Sequence, residues 1–227
     1  MRYCWVLLLG CATTRVDQPP GYATTYLETA LATDDVVRRD EQLRLAIVAE
    51  PGSARAEKAL SFLSQAHQDE NTPDQLVVEL QKLSIALACL ETDADARRLS
   101  CARLYLLWSK NLEPAASLEL LNQTQDLILQ TVYWDDFLYA RATLLEAMHQ
   151  ALPAIEDLQA IVSSHQSSWW IGSYTSHFYY PALFAMARLY EAQQSYEMAR
   201  ELYQKLLDDE TPTTLQDQAR AKLLTLP

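Results

Sequence analysis

The feature that most restricts the fold of this chain is a stripe of leucines at helical spacing. Leu76, Leu80, Leu83, Leu87 and Leu90 follow one another at intervals of four, three, four and three residues. These intervals place all five side chains on one face of an α-helix, whereas a half-buried strand would alternate apolar and polar residues. Similar apolar patterns, separated by short breaks, occupy most of the chain and predict a succession of helices.

The composition argues against strands. Only four glycines occur in 227 residues, and no β-branched run is bounded by the turn residues that hairpins need. We therefore predict an all-α protein, and a chain of this length can bury a sizeable core. Cap and break residues predict short connections between paired antiparallel helices, which make an antiparallel helix-hairpin stack repeated five times.

One stretch near the C-terminal end has a distinctive order: a large residue, a large–small pair and an aromatic, then a small residue, an aromatic and a proline. These residues are Leu183, Met186, Ala187, Tyr190, Ala199, Tyr203 and Pro212. The order resembles the tetratricopeptide repeat, with Pro212 one residue late. The resemblance implies a tetratricopeptide-like α-solenoid over 22–227, with its best repeat at 180–213 and a terminal capping helix at 213–226.

Weaker copies of the repeat lie upstream. One contains Leu138, Ala142, Leu145, Ala154 and Leu158, with Arg141 where an apolar residue is expected, and another contains Cys101, Ala102, Tyr105, Ala116 and Leu120. The small residues Ala102, Ala142 and Ala187 are 40 and 45 positions apart, instead of about 34 in the standard repeat. The upstream repeats are therefore predicted to be degenerate.

The first residues of the chain bear on the cellular location of the protein. Arg2 precedes a short apolar run that ends in Leu8-Leu9-Gly10-Cys11, and this order resembles the lipobox of bacterial lipoprotein signal peptides. The resemblance implies removal of residues 1–10, lipidation of Cys11, a polar tether over 11–21, and an outer-membrane position on the periplasmic face. The alternative is an unstructured apolar N-terminus on a cytoplasmic protein.

An aromatic-rich segment interrupts the helical pattern between 163 and 180. We expect a connection of about 17 residues there, because Pro181 suits a first helical turn and helix pairs are normally joined by about 2–8 residues. Its aromatic side chains are candidates for partner binding, or else pack between hairpins. They are Trp169, Trp170, Tyr174, Phe178, Tyr179 and Tyr180.

Charge and motif content exclude several functions. The net charge of −12 disfavours nucleic-acid binding, which needs clustered lysine and arginine. No phosphate loop, zinc-protease motif or nucleophile elbow occurs, so neither an enzyme nor a cofactor is predicted. His165 and His177 are a weak candidate metal pair, and the Asp135-Asp136 pair is expected to be solvated.

Cys89 and Cys101 are the two cysteines that would remain beside a lipidated Cys11. They lie on adjacent predicted helices, so they form either a disulfide or two buried thiols, depending on whether their Cα atoms approach within about 7 Å. The resemblances to lipoproteins and to tetratricopeptide repeats imply a lipid-anchored scaffold for other envelope proteins, such as those of outer-membrane, secretion or pilus assembly. The alternatives are a cytoplasmic tetratricopeptide-like adaptor, and a small-ligand or glycan-binding helical protein that uses the 163–180 segment.

Overall fold

A computed structural model of the chain describes residues 22–89, 95–167, 176–209 and 211–227. These residues form eleven α-helices and no strand, which confirms the all-α prediction. The helices are α1 (Tyr22–Leu31), α2 (Val36–Ala49), α3 (Ala54–Asp69), α4 (Pro73–Ala86), α5 (Asp95–Ser109), α6 (Pro114–Ile128), α7 (Trp134–Ala147), α8 (Ala151–Ser167), α9 (Tyr179–Ala192), α10 (Tyr196–Asp208) and α11 (Thr213–Thr225).

Consecutive helices pack as hairpins, and α11 covers the last one. The pairs are α1 with α2, α3 with α4, α5 with α6, α7 with α8, and α9 with α10. The first helices of successive hairpins also touch, because α3 contacts both α1 and α5, and α5 contacts α7. We call the exposed side of these first helices the first-helix face. This stacking is the architecture of an α-solenoid.

Helix starts follow local capping chemistry. The Ser53 hydroxyl accepts a hydrogen bond from the first turn of α3, as its sequence position predicts. The Asp35 side chain caps α2 by accepting a hydrogen bond from the backbone N–H of Arg38. The Thr72 hydroxyl lies 2.7 Å from Nδ1 of the buried His67 and makes no capping bond to α4. Its place before Pro73 still starts that helix, because proline is favoured in a first turn.

Small residues let the paired helices approach closely. Ala102, Ala142 and Ala187 are all buried, as the repeat pattern predicts. In the third hairpin the predicted small residue, Ala116, is exposed, and Ser117 is buried in its place. The Ser117 hydroxyl donates to the carbonyl of Ser109 at 2.7 Å, which satisfies the buried hydroxyl. The repeat in α6 is therefore displaced by one residue from the predicted register.

The connection after α8 is shorter than the sequence predicts. Helix α8 continues to Ser167 and α9 begins at Tyr179, two residues before Pro181. Eleven residues separate the two helices, instead of about 17. The helix starts early because Pro181 falls in the first turn, where its missing N–H has no intrahelical partner to lose.

The second and third hairpins are joined by a disulfide. Cys89 follows α4 and Cys101 lies in α5, and the structure places their sulfurs in a bond with the Cα atoms 5.6 Å apart. Both residues are buried. The facing positions that a bond requires are therefore present in this fold.

We expect this disulfide to form when the protein is made in an oxidising compartment. Under denaturing conditions without reductant, Cys89 and Cys101 should resist alkylation, and the intact mass should lack two hydrogens. Replacing both by serine should lower the free energy of unfolding by about 3 kcal/mol, since the bond closes a loop of moderate length in the unfolded chain. Full alkylation of both thiols in the unreduced sample would contradict the bond.

Candidate protein-binding face

Ion pairs connect successive helices along the first-helix face. Three pairs, formed by Glu57 with Arg103, Glu146 with Arg188, and Glu191 with Lys222, join α3 to α5, α7 to α9, and α9 to α11. All six side chains keep substantial solvent contact, so each pair contributes little to stability. Within the described part of the chain, no ion pair of this kind joins α1 to α3, and none joins α5 to α7. A pocket opens between α5 and α7 instead.

The pocket between α5 and α7 has a volume of about 350 Å³. Most of its wall is apolar or aromatic, and two charged side chains, Lys110 and Asp136, reach it. The lining residues are Leu106, Ser109, Lys110, Ser117, Asp136, Tyr139, Ala140, Thr143, Leu144 and Phe178. This volume and chemistry suit one side chain of a binding partner or a small molecule.

Asp135 fixes one end of this pocket. Its carboxylate accepts a hydrogen bond from the Ser176 hydroxyl at 2.7 Å and another from the backbone N–H of Asp136 at 3.0 Å. The bond to Ser176 ties the chain just before α9 to the first turn of α7. Phe178 is thereby held against Tyr139, with ring centroids 4.5 Å apart and nearly parallel planes. The expectation that Asp135 is solvated is wrong, because this residue is buried at 5% exposure.

Asp136 has the opposite character. Its carboxylate is half-buried and makes no hydrogen bond or close ion pair with any side chain that the structure describes. Burial raises its pKa above the ordinary aspartate value, and the negative charge of Asp135 raises it further. Arg103, Lys110 and, when protonated, His177 act on it without a close ion pair and only partly offset these effects. The pocket therefore contains a half-buried carboxylate that no described side chain contacts as a counter-charge.

The raised pKa of Asp136 predicts a pH-dependent stability difference. The folded chain holds the proton more tightly than the unfolded chain does. This carboxyl therefore contributes most to the free energy of unfolding at pH values below its pKa in the unfolded chain. That contribution is lost as pH rises from about 3.8 through the higher folded pKa. As the pH rises over that interval, the free energy of unfolding of Asp136→Asn should increase relative to that of the wild type. Urea unfolding at several pH values measures it, and a change in favour of wild type would contradict the raised pKa.

A polar cluster lies beside the pocket, where α3, α5 and the start of α7 meet. The Tyr133 hydroxyl bonds to Glu57, and Arg103 lies both 3.8 Å from that carboxylate and over the Tyr133 ring. Burial raises the pKa of Glu57, and burial with the neighbouring carboxylate raises the pKa of Tyr133 to about 12. The cluster satisfies its own members, so it positions the helices around the pocket.

The sequence-predicted site residues fall in different places. Cys11, Trp169, Trp170 and Tyr174 lie outside the described residues, as does the side chain of His165, while His177 is exposed. Tyr179 is buried, and its hydroxyl lies 3.5 Å from a carboxylate oxygen of Asp209. Phe178 and Tyr180 are half-buried against the core. Of the aromatic candidates, Phe178 is the one that lines the pocket.

The pocket residues on α5 and α7 were not singled out from the sequence. The sequence predicts Asp136 only as one of a solvated pair, and no motif marks Lys110 or Tyr139. An aromatic residue three positions after an aspartate places both on one side of a helix, but that spacing is common on helices with no site. The pocket becomes recognisable in the fold, where Phe178 lies across from Tyr139 and the bond between Asp135 and Ser176 holds the chain before Phe178.

These features define a tetratricopeptide-like α-solenoid, and solved structures of that class have the same fold. A crystal structure of the MamA protein matches with a TM-score of 0.53 at 17% identity, over 82% of this chain and 91% of that chain. A tetratricopeptide repeat protein from Parabacteroides merdae matches with a TM-score of 0.53 at 16% identity, over 89% of this chain and 72% of that one.

A putative kinesin light chain with nearly identical repeats, from Podospora anserina, gives a TM-score of 0.54 at 16% identity, over 88% and 98% of the two chains. No protein-family model matches the sequence, and neither does any curated protein. At these identities the likeness concerns the fold, which confirms the tetratricopeptide-like prediction. Among the described helices, none is long and apolar enough to cross a membrane.

Proposed function

We propose that the protein is a scaffold that binds other envelope proteins through its first-helix face. The observation that carries this proposal is the pocket between α5 and α7, which interrupts the series of ion pairs on that face. Stacked helix hairpins present an extended surface of this kind, and solenoids use it for binding. The role we propose is binding, and the described side chains that line the pocket include no nucleophile–base pair.

We further propose that Cys11 carries a lipid that holds the scaffold at the periplasmic face of an outer membrane. The order Leu8-Leu9-Gly10-Cys11 supports the lipid, and the polar residues 12–21 suit a tether between an anchor and a fold. The disulfide between Cys89 and Cys101 suits an oxidising compartment such as the periplasm. Proteins of outer-membrane, secretion or pilus assembly would be accessible partners for a scaffold at this location.

Site-specific photo-cross-linking in cells tests the binding face. A photoreactive residue at Thr143, which is exposed in α7 and lines the pocket, should give discrete cross-linked products. The matched control is Gln159, exposed on α8 in the same hairpin, which should give far fewer. Equal products at both positions, or products at Gln159 alone, would contradict binding through the first-helix face.

Intact mass tests the anchor. The protein extracted from membranes of a Gram-negative host should lack residues 1–10 and carry acyl chains on Cys11. The variant Cys11→Ala should keep its full mass and leave the lipid-anchored membrane fraction. An unprocessed mass with a free Cys11 thiol in the wild-type protein would overturn the anchor, and the scaffold would then be a cytoplasmic adaptor.

A further inference from the structure

We propose that the pocket between α5 and α7 receives a lysine or arginine side chain of the bound protein, whose positive charge pairs with the Asp136 carboxylate. This inference rests on the proposed function, since it specifies the chemistry by which the first-helix face recognises its partner. It commits the pocket to one kind of occupant: a long apolar stem that ends in a positive charge.

Asp136 brings a negative charge without a side-chain partner to the pocket. Asp135 uses its carboxylate for Ser176 and for the backbone of α7, so it is not available to a ligand. Asp136, next to it, is half-buried and has no side-chain partner among the residues that the structure describes. A half-buried carboxylate without a partner carries a desolvation cost that a cation would offset.

The wall of the pocket suits the apolar stem of a lysine or arginine side chain. Leu106, Ala140 and Leu144 supply an apolar wall, and the rings of Tyr139 and Phe178 lie beside it. Lysine and arginine bury their methylene stems on apolar surface while the charged end reaches a polar group. Aromatic rings near a cation add a further attraction. A purely apolar side chain would fill the same wall and leave Asp136 without a counter-charge.

The charge of the whole protein also favours a cationic partner. The net charge of −12 attracts cationic partners and repels anionic ones during encounter. The groups that can act on Asp136 with a positive charge are Arg103 on α5, Lys110 directly after α5 and, when protonated, His177 before α9. Arg103 already pairs with Glu57. Lys110 is exposed and unpaired in the described part of the chain, so its flexible stem can move its ammonium away from an arriving cation.

The test is a titration of the full chain, isotope-labelled and kept in a non-ionic detergent, with capped single amino acids. N-acetyl-arginine amide and N-acetyl-lysine amide are the cationic probes, N-acetyl-norleucine amide is the neutral probe of similar length, and N-acetyl-glutamate amide is the anionic probe. The two cationic probes should cause saturable shifts of the backbone amide signals of 136–144 and Phe178. Equal binding of norleucine amide, or preferential binding of glutamate amide, would overturn the proposal.

Paired variants locate the charge that recognises the probe. Asp136→Asn should weaken binding of N-acetyl-arginine amide about five- to tenfold, because it removes a charge-assisted hydrogen bond. Asp126→Asn, the same change at an exposed position on α6, should leave binding unchanged. Lys110→Gln should strengthen binding, because it removes the competing positive charge. If Lys110→Gln weakens binding and Asp136→Asn does not, the pocket recognises an anion and the proposal is wrong.

These outcomes are separable from those of the proposed function. Cross-linking at Thr143 without preferential binding of the cationic probes would leave the scaffold in place and overturn the cation-binding pocket. Binding of the probes without any cross-link at Thr143 would establish a cation site while contradicting the scaffold.

Discussion

Replacing Arg141 by leucine is expected to lower the free energy of unfolding by about 3–5 kcal/mol. The guanidinium of Arg141 forms two hydrogen bonds to the Asp157 carboxylate, at 2.7 and 2.5 Å, and a third to the side-chain oxygen of Gln125 at 2.5 Å. It also lies over the ring of Phe137. These contacts join α6, α7 and α8, so the loss extends beyond one hairpin.

The large effect follows from what remains after the substitution. The Asp157 side chain is only 7% exposed, so leucine at 141 would leave a buried carboxylate without a counter-charge. Replacing both Arg141 and Asp157 by leucine removes that charge and should recover much of the loss. Urea unfolding followed by circular dichroism measures both variants. A loss below about 1 kcal/mol for the single variant would contradict a buried ion pair.

Replacing Tyr203 by alanine is expected to lower the free energy of unfolding by about 3–5 kcal/mol, in the range of large aromatic deletions from a core. Tyr203 is fully buried in α10 and packs edge-to-face on Phe184, with ring centroids 5.6 Å apart. Its hydroxyl donates to the carboxylate of Glu191 at 2.9 Å. The substitution would leave a cavity between α9 and α10 and remove that bond.

The control is Tyr203→Phe, which keeps the ring and removes only the hydroxyl. Its expected cost is about 1 kcal/mol, the net value of one hydrogen bond, and Glu191 keeps its second contact, to Lys222. Thermal or urea unfolding separates the two variants. Equal losses for alanine and phenylalanine would contradict the ring packing that the repeat pattern predicts for this position.

The repeat pattern predicted the fold from the sequence because it reports on packing that is local. Ala187, Ala199 and Tyr203 lie within one hairpin, where a small residue facing a large one requires close helix approach. The pattern was less reliable where a polar residue performs the same task. Ser117 replaces the expected Ala116 because its hydroxyl finds a carbonyl partner in α5, which a pattern of small apolar residues does not anticipate.

Contacts between residues that are far apart in the chain could not be predicted from the sequence. Arg141 was interpreted as a departure from the repeat, yet its partner Asp157 lies 16 positions away, on the next helix. Asp135 was expected to be solvated, yet Ser176, 41 positions away, holds it in the core. That bond holds the chain before Phe178, so the pocket follows from the tertiary arrangement and not from any local motif.

The measurement that tests the central claim most directly is hydrogen–deuterium exchange of the full chain, with and without the protein captured at Thr143. If the first-helix face binds, backbone amides of α5, α7 and the start of α9 should gain protection, while those of α4, α6 and α8 remain unchanged. Protection confined to α4, α6 and α8 would place the partner on the second helices of the hairpins. That result would contradict both the binding face and the pocket assigned to it.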